Sequence, residues 1–269
     1  MNLPTEYDDG LDYIRPKERP LVSVIIPAYN SGKYIKKCLD SIVAQTYQNW
    51  EAIVVYSPST DNTIGELVQF HDERISVLHE GKKTNVATAR NSGFLLSKGE
   101  YIIFLDSDDW MESHRIAHQV NLLENHRNYM WCAGGVRSVK PDGSAITNFI
   151  DPTEPKDSLL GILSLMFRRE ICIIPFDESL PYFDDVDFFL KIRNLSHGFT
   201  SSVVTNYLLN NCGLTQTTHP INGAVVMLKI MIRNRAWEYL PRELKDAVAS
   251  IGSKATGIDL VKWKKEHFS

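Results

Sequence analysis

Apolar residues in the first hundred positions follow two alternating rhythms. Leu21–Ile26, Trp50–Tyr56, Ile75–His79 and Tyr101–Leu105 are short continuous runs rich in β-branched and aromatic residues. Such runs predict strands, and the first reads as a central strand covered on both faces. Between them the apolar positions recur at helical spacing. Ile35, Cys38 or Leu39, Ile42 and Val43 form one stripe, with Lys36, Lys37 and Asp40 opposite. Ile64, Leu67, Val68 and His71 form a second, on which His71 reads as a half-buried packing residue. Thr84–Leu96 forms a third helix closing at Lys98-Gly99, and its small residues Ala87, Ala89 and Gly93 predict close seating on the sheet. Strand and helix alternate throughout, which predicts a parallel sheet with right-handed crossovers.

The alternation breaks beyond residue 115. Ile116, Val120 and Leu123 mark a helix. Tyr129–Val136 and Ala145–Ile150 read as strands joined by the turn Lys140-Pro-Asp-Gly143. Gly161–Phe167 reads as a helix and Ile171–Ile174 as a strand. Phe188, Phe189, Ile192 and Leu195 form a helical stripe, and Phe199–Val204 a last strand. Residues 1–20 read as a polar lead-in. Residues 221–269 read as a helical extension, with breaks near Pro241 and Gly252. The division expected is thus a domain over 21–220, with halves 21–115 and 116–220, followed by that extension.

Composition narrows the classes. The 269 residues suffice for a large core, and the net charge of −4 argues against bulk binding of nucleic acid. Cys38, Cys132, Cys172 and Cys212 lack metal-type spacing and read as reduced thiols of a cytoplasmic protein. The start of the chain is acidic and polar, unlike a secretory signal. No apolar run reaches the length of a membrane span, which leaves peripheral contact open.

The chemistry concentrates in carboxylates. The fourth apolar run ends in Leu105-Asp106-Ser107-Asp108-Asp109, three acids within four residues. Such crowding needs screening by water, a cation or basic groups. One reading is a solvated turn with Asp109 or Ser113 capping the next helix. The other is a metal-binding edge at the carboxyl ends of strands, where open α/β sheets collect ligands and where Mg²⁺ joins one or two carboxylates to substrate phosphates. A second cluster holds Asp177, Glu178, Asp184, Asp185 and Asp187; Asp184 and Asp185 also suit a helix N-terminus electrostatically. Arg90 is open to pairing with a carboxylate or phosphate, or to plain exposure.

Order and spacing together resemble the inverting family 2 glycosyltransferases, which have the GT-A fold. The matching residues are Val22–Asn30, Tyr34-Ile35, Cys38–Ile42, Gln45-Thr46-Tyr47, Ser59–Thr63, Ala89–Gly93, Gly99-Glu100-Tyr101 and Leu105–Asp109, with Asp184-Asp185 later. The resemblance is dense over about 21–115, looser to about 195, and absent beyond about 220. It implies a single Rossmann-like, nucleotide-sugar-binding α/β domain with a mixed, mainly parallel central sheet. It also implies a sugar nucleotide donor, a UDP-sugar first, and displacement with inversion at the anomeric carbon. The acceptor is an unidentified glycan or lipid-linked hydroxyl, and a second copy of the chain is a further partner to consider.

On that resemblance Asp108 and Asp106 hold a divalent cation, Mn²⁺ or Mg²⁺, at the leaving diphosphate. His219, or Asn210 and Asn211, lies where relatives place a polar residue near the diphosphate, and His219 is the third metal candidate. Pro27, Ala28, Tyr29 and Asn30 line base and ribose, with Asp106 and Ser107 beside them, and Arg90 or Lys82 and Lys83 approach the diphosphate. Asp185 is the first choice for the base that activates the acceptor, and Asp184 the second. The chain departs from the resemblance at Tyr56-Ser57-Pro58-Ser59, where relatives usually carry Asp-Asp-Gly-Ser. Tyr56 is then expected to stack on the base, and Ser57 to hydrogen-bond it. That departure keeps alive a catalytically degenerate nucleotide-sugar-binding or scaffold protein. A nucleotidyltransferase would show a Gly-rich basic loop after the first strand, which Pro27-Ala-Tyr-Asn-Ser31 lacks.

Overall fold

The computed structural model describes residues 19–148, 161–209, 226, 229–231, 233 and 234. The first half runs β1 (Val22–Ala28), α1 (Ile35–Val43), β2 (Trp50–Tyr56), α2 (Thr63–Leu67), β3 (Ile75–His79), α3 (Val86–Leu96) and β4 (Tyr101–Phe104). The four strands pair in parallel in the order β3-β2-β1-β4. Their carboxyl ends therefore share one edge. β1 and β4 are buried along their whole lengths, as continuous apolar runs require when helices cover both faces.

The second half extends the same sheet. It contains β5 (Trp110–Met111), α4 (Arg115–Asn125), β6 (Trp131–Val139), β7 (Ala145–Asn148), α5 (Gly161–Ser164), β8 (Met166–Arg168), α6 (Asp184–Ile192) and β9 (His197–Leu208). β8 joins β4 antiparallel and carries the sheet through β6 and β9 to β5, while β7 forms a hairpin with β6. The hairpin turn is as expected: Lys140 and Ser144 pair across it, and Gly143 takes the positive φ of 84° that a side chain resists. One apolar core lies on the α1 and α4 face, around Ile26, Val54 and Ile116. The other lies on the α3 and α6 face, around Ile25, Phe104, Phe167 and Phe188.

Several expected elements differ. Gly161–Phe167 is not one helix: α5 stops at Ser164, and Met166 and Phe167 form the buried centre of β8. The strand expected at Ile171–Ile174 is therefore displaced toward the N-terminus. Residues Arg169–Ile171 make a single 3-10 turn, and Ile173 is 86% exposed. Sheet partners decide this, because Ile102 and Trp131 flank Phe167 on either side. The two-residue β5 is too short to leave a periodic signal. α2 ends at Leu67, which leaves His71 exposed instead of half-buried. The lead-in, the end of the strand expected to reach Ile150, and nearly all of the extension lie outside the described residues. No described helix is long and apolar enough to cross a membrane.

The close seating expected of α3 is present. A Cβ added at Gly93 would stand 2.4 Å from Ile25 Cγ2 and 3.1 Å from Val55 Cγ2. Gly93→Val is therefore expected to destabilise the protein by about 1–3 kcal/mol through overpacking. Urea denaturation checks this, and an unchanged midpoint would show that α3 does not sit so tightly on β1 and β2.

Candidate active site

The strand-end edge is built from four loops. After β4, backbone pairing continues for one residue, since the Leu105 N–H donates to Ile25 O at 3.0 Å. The chain then turns sharply, with the Asp109 N–H donating to Asp106 O at 3.0 Å. This turn gives each acid a different environment. Asp106 is part exposed and Asp108 half-buried, whereas Asp109 is buried and accepts the Leu208 N–H at 2.9 Å. Burial and the adjacent Asp108 and Asp106 push the Asp109 carboxyl well above the usual carboxylate range. Asp109 ties β9 to the turn and does not cap α4, whose first turn has no side-chain cap. Beneath the turn, the Cys38 thiol faces Asp106 O at 3.7 Å. Burial and the three acids hold it well above the usual thiol range, so it is an inert packing group.

Arg90 of α3 joins this turn to the second acidic cluster. Its Nη2 donates to Asp106 Oδ1 at 2.7 Å and its Nη1 to Asp184 Oδ2 at 2.8 Å. The guanidinium is 4% exposed, and the two carboxylates hold it more firmly protonated than usual against the cost of burial. Its charge is thus paired within the protein. The next residue, Asn91, donates to Phe176 O at 3.0 Å and to Glu178 Oε1 at 2.9 Å, and accepts the Phe176 N–H. One turn of α3 therefore fixes both the acids and the loop that leads to α6. Asn91 and Glu178 were not expected as site-building residues, although Asn91 follows Arg90 directly.

Asp184 and Asp185 open α6, where the positive end of the helix dipole favours negative charge. Phe183, just before them, holds a left-handed φ of 61°, a strained conformation for a bulky residue. Asp184 is buried against Arg90. Asp185 is half-buried, and among the described residues its carboxylate takes one hydrogen bond, from the Val186 N–H at 2.9 Å. Burial and the adjacent Asp184 raise its carboxyl to about 6, against the pull of Arg90. Asp187 plays another part: it is fully buried and binds Lys191, Arg233 and Asn234.

The loops after β1 and β2 are stitched together. Asn30, at a left-handed φ of 50°, accepts from the Thr60 N–H at 2.9 Å, and its own N–H donates to Ser59 Oγ. Asp61 accepts the Gly32 N–H at 2.8 Å and also binds Thr63, so it joins two loops as well as starting α2. Ser31 and Ser107 share a 2.6 Å hydrogen bond, which ties the β1 loop to the acidic turn. Ala28 is buried at the end of β1, and Tyr29 is 40% exposed with Lys83 Nζ 3.9 Å from its ring centroid. Tyr56 is 8% exposed, packs edge-on against His79, and accepts the Ser59 N–H at its hydroxyl. A ring so enclosed has no free face on which a base could stack. Ser57 is buried and donates to Glu80 Oε2 at 2.7 Å. Asn210, Asn211 and His219 lie outside the described residues.

The profile described as Glycosyl transferase family 2 matches residues 23–160. The chain belongs to this family. It is accordingly a glycosyltransferase. Over 238 residues it is 28% identical to the Escherichia coli UDP-Glc:alpha-D-GlcNAc-diphosphoundecaprenol beta-1,3-glucosyltransferase WfgD, covering 86% of this chain and 89% of that protein. It is 45% identical over 98 residues to glycosyltransferase GlyG of Streptococcus pneumoniae serotype 4, across 36% of this chain and 33% of that protein. Its fold matches S. aureus TarS 1-349 in complex with UDP-GlcNAc at a TM-score of 0.64, with 19% identity over 92% of this chain and 76% of that one. It also matches the mannosyltransferase PcManGT of Pyrobaculum calidifontis, in complex with GDP-Man and Mn²⁺, at a TM-score of 0.57. Identity there is 19% over 94% of this chain and 81% of that one. These likenesses show the GT-A fold. The family match ends before Asp184 and Asp185, and it is Arg90, inside the matched region, that joins Asp184 to the acidic turn.

Replacing Arg90 by Met should strand two carboxylates, one of them buried. We expect a loss of about 3–5 kcal/mol of stability, the range for breaking a buried ion pair from one side. Chemical denaturation measures it, and a loss below about 1 kcal/mol would refute the bridging role.

Proposed function

We propose that the protein is a metal-dependent inverting glycosyltransferase that moves a sugar from a UDP-sugar to an acceptor hydroxyl. The observation that carries this reading is the Arg90 bridge, which links Asp106 of the acidic turn to Asp184 at the start of α6. The donor class is supported by the likeness to WfgD, a UDP-Glc-dependent glucosyltransferase, and to TarS in complex with UDP-GlcNAc, and the diphosphoundecaprenol-linked acceptor of WfgD favours a lipid-linked sugar as acceptor here. Pro27, Ala28, Tyr29 and Asn30 border base and ribose in this reading, with Ser107 fixing their loop through Ser31.

Asp106 and Asp108 would hold a Mn²⁺ or Mg²⁺ ion together with the donor diphosphate. Their hard oxygens suit such a cation, and a substrate-bridging ion needs only one or two protein carboxylates. Both carboxylates stand on the turn after β4 and are partly accessible. When bound, the cation neutralises the charge that develops on the leaving diphosphate. Arg90 positions Asp106 and Asp184 and itself touches neither substrate. Asp185 takes the proton from the acceptor hydroxyl, and inversion follows from attack opposite the departing phosphate oxygen. Its raised pKa makes it a stronger base than an ordinary carboxylate.

The test follows nucleoside diphosphate release from UDP-glucose and UDP-GlcNAc with Mn²⁺, with Mg²⁺ and with EDTA. Turnover is expected with metal and should vanish in EDTA. Measurable donor binding without metal-dependent turnover would favour the degenerate binding protein instead. Asp185→Asn should slow transfer by about 10²–10⁴-fold, the usual contribution of a general base, while donor affinity stays within about threefold. Full rate in that variant would displace Asp185 from its role.

The pH dependence has a definite sign. A base must be deprotonated to act, and Asp185 titrates near 6 instead of near the ordinary aspartate value of about 4. The rate should be flat above that pH and fall about tenfold per unit below it. A profile still flat at about pH 4.5 would rule the assignment out.

A further inference from the structure

We infer that Glu80 reads the nucleotide base, selecting a donor whose base carries a ring N–H, uracil in the reading above, over cytosine or adenine. The inference rests on the donor reading and deepens it. Glu80 directly follows β3, and its N–H donates to Tyr56 O at 2.9 Å, so the strand ladder fixes its backbone. Ser57 is fixed in the same way by its N–H donating to Ala28 O at 3.0 Å. Both residues therefore stand on the rigid sheet edge and not on a free loop.

The side chains are arranged with one oxygen committed. The Ser57 hydroxyl donates to Glu80 Oε2 at 2.7 Å, and the Thr84 hydroxyl donates to the same oxygen. Ser57 and Thr84 also lie 3.3 Å apart, which closes a triangle around Oε2. Among the described residues none bonds Oε1. Two hydroxyls that aim a part-buried carboxyl group and leave its second oxygen unused form an acceptor set for a donor from outside.

Position supplies the ligand. In the order β3-β2-β1-β4, Glu80 ends one side of the edge and Asp106 the other, three strand spacings or about 14 Å apart. That is about the length of an extended nucleoside diphosphate, with its phosphates at Asp106 and its base at Glu80. Tyr29 and Lys83 stand between, at the end of β1 and in the loop after β3. A base there meets an acceptor oxygen. Uracil N3 carries a hydrogen and donates, whereas cytosine N3 presents a lone pair that a carboxylate repels.

Calorimetry on the full chain with Mn²⁺ compares UDP, CDP and 3-methyluridine 5′-diphosphate, which lacks the N3 hydrogen. The protein should bind UDP at least about tenfold more tightly than either analogue. In Glu80→Gln the UDP-to-CDP ratio should fall to within about threefold, because a carboxamide offers both a donor and an acceptor. Adding Ser57→Asp to Glu80→Gln should restore selectivity by returning a carboxylate to the same spot. If Glu80→Gln keeps its fold by circular dichroism and the full ratio, the inference is wrong. Should that variant not fold, the unaltered protein decides, and 3-methyluridine diphosphate bound as tightly as UDP would overturn the role of Glu80 alone. No binding of any of the three would overturn the donor reading and this inference with it.

Discussion

The site depends on one buried cation. Arg90 lies between Asp106 and Asp184, and without it two acidic segments brought together by folding would repel each other in a medium poorer than water at screening charge. Burying a guanidinium costs several kcal/mol, and its two carboxylate partners offset that cost with charge-assisted hydrogen bonds. Asp184 is spent on this pairing, while Asp185 has one backbone hydrogen bond among the described residues and a raised pKa. Two adjacent aspartates thereby acquire different environments: one is paired with Arg90, the other has its carboxyl raised to about 6.

The same helix solves the packing problem that this bridge creates. Gly93 lets α3 lie against Ile25 and Val55, which brings Arg90 close enough to the end of β4 to reach Asp106. Asn91 then holds the backbone at Phe176, and Phe176 closes over Phe104 and Phe188 in the core beneath. Backbone strain sits at the rim of this rigid assembly. Asn30 and Phe183, the non-glycine residues with positive φ among those described, lie in the loop after β1 and just before the acidic pair. Asparagine takes this conformation readily, and Asn30 is held there by Thr60 and Ser59, whereas at Phe183 the bulky side chain makes it strained.

A parallel sheet sets how the strand-end edge is laid out. Four strand ends at fixed spacing carry, in order, Glu80, Ser57, the Ala28–Asn30 loop and Asp106. Hydrogen bonds from Asn30, Asp61 and Ser31 knit the loops so that the edge behaves as one surface. The departure at Tyr56-Ser57 is absorbed within this arrangement. Tyr56 turns inward as core, and Ser57 turns toward a carboxylate from the next strand.

The chain's periodicity determined the alternating first half, because strands buried on both faces and amphipathic helices leave separate local signatures. β2, β3 and α1 fall where the apolar runs place them. The acidic turn and the Asp184-Asp185 pair were legible for a similar reason: crowded carboxylates after a buried strand or at a helix start are a local anomaly. The second half was read less well, since Met166–Arg168 is a strand only by virtue of its neighbours β4 and β6, and Ile171–Ile174 has the composition of a strand but no strand partner among the described residues. Only the tertiary structure decided that Arg90 spans both acidic clusters, that Tyr56 is enclosed, and that Glu80 meets Ser57. Each is a contact between residues distant in the chain, and side-chain pairing across 16 to 94 positions leaves no trace in local hydrophobic period or spacing.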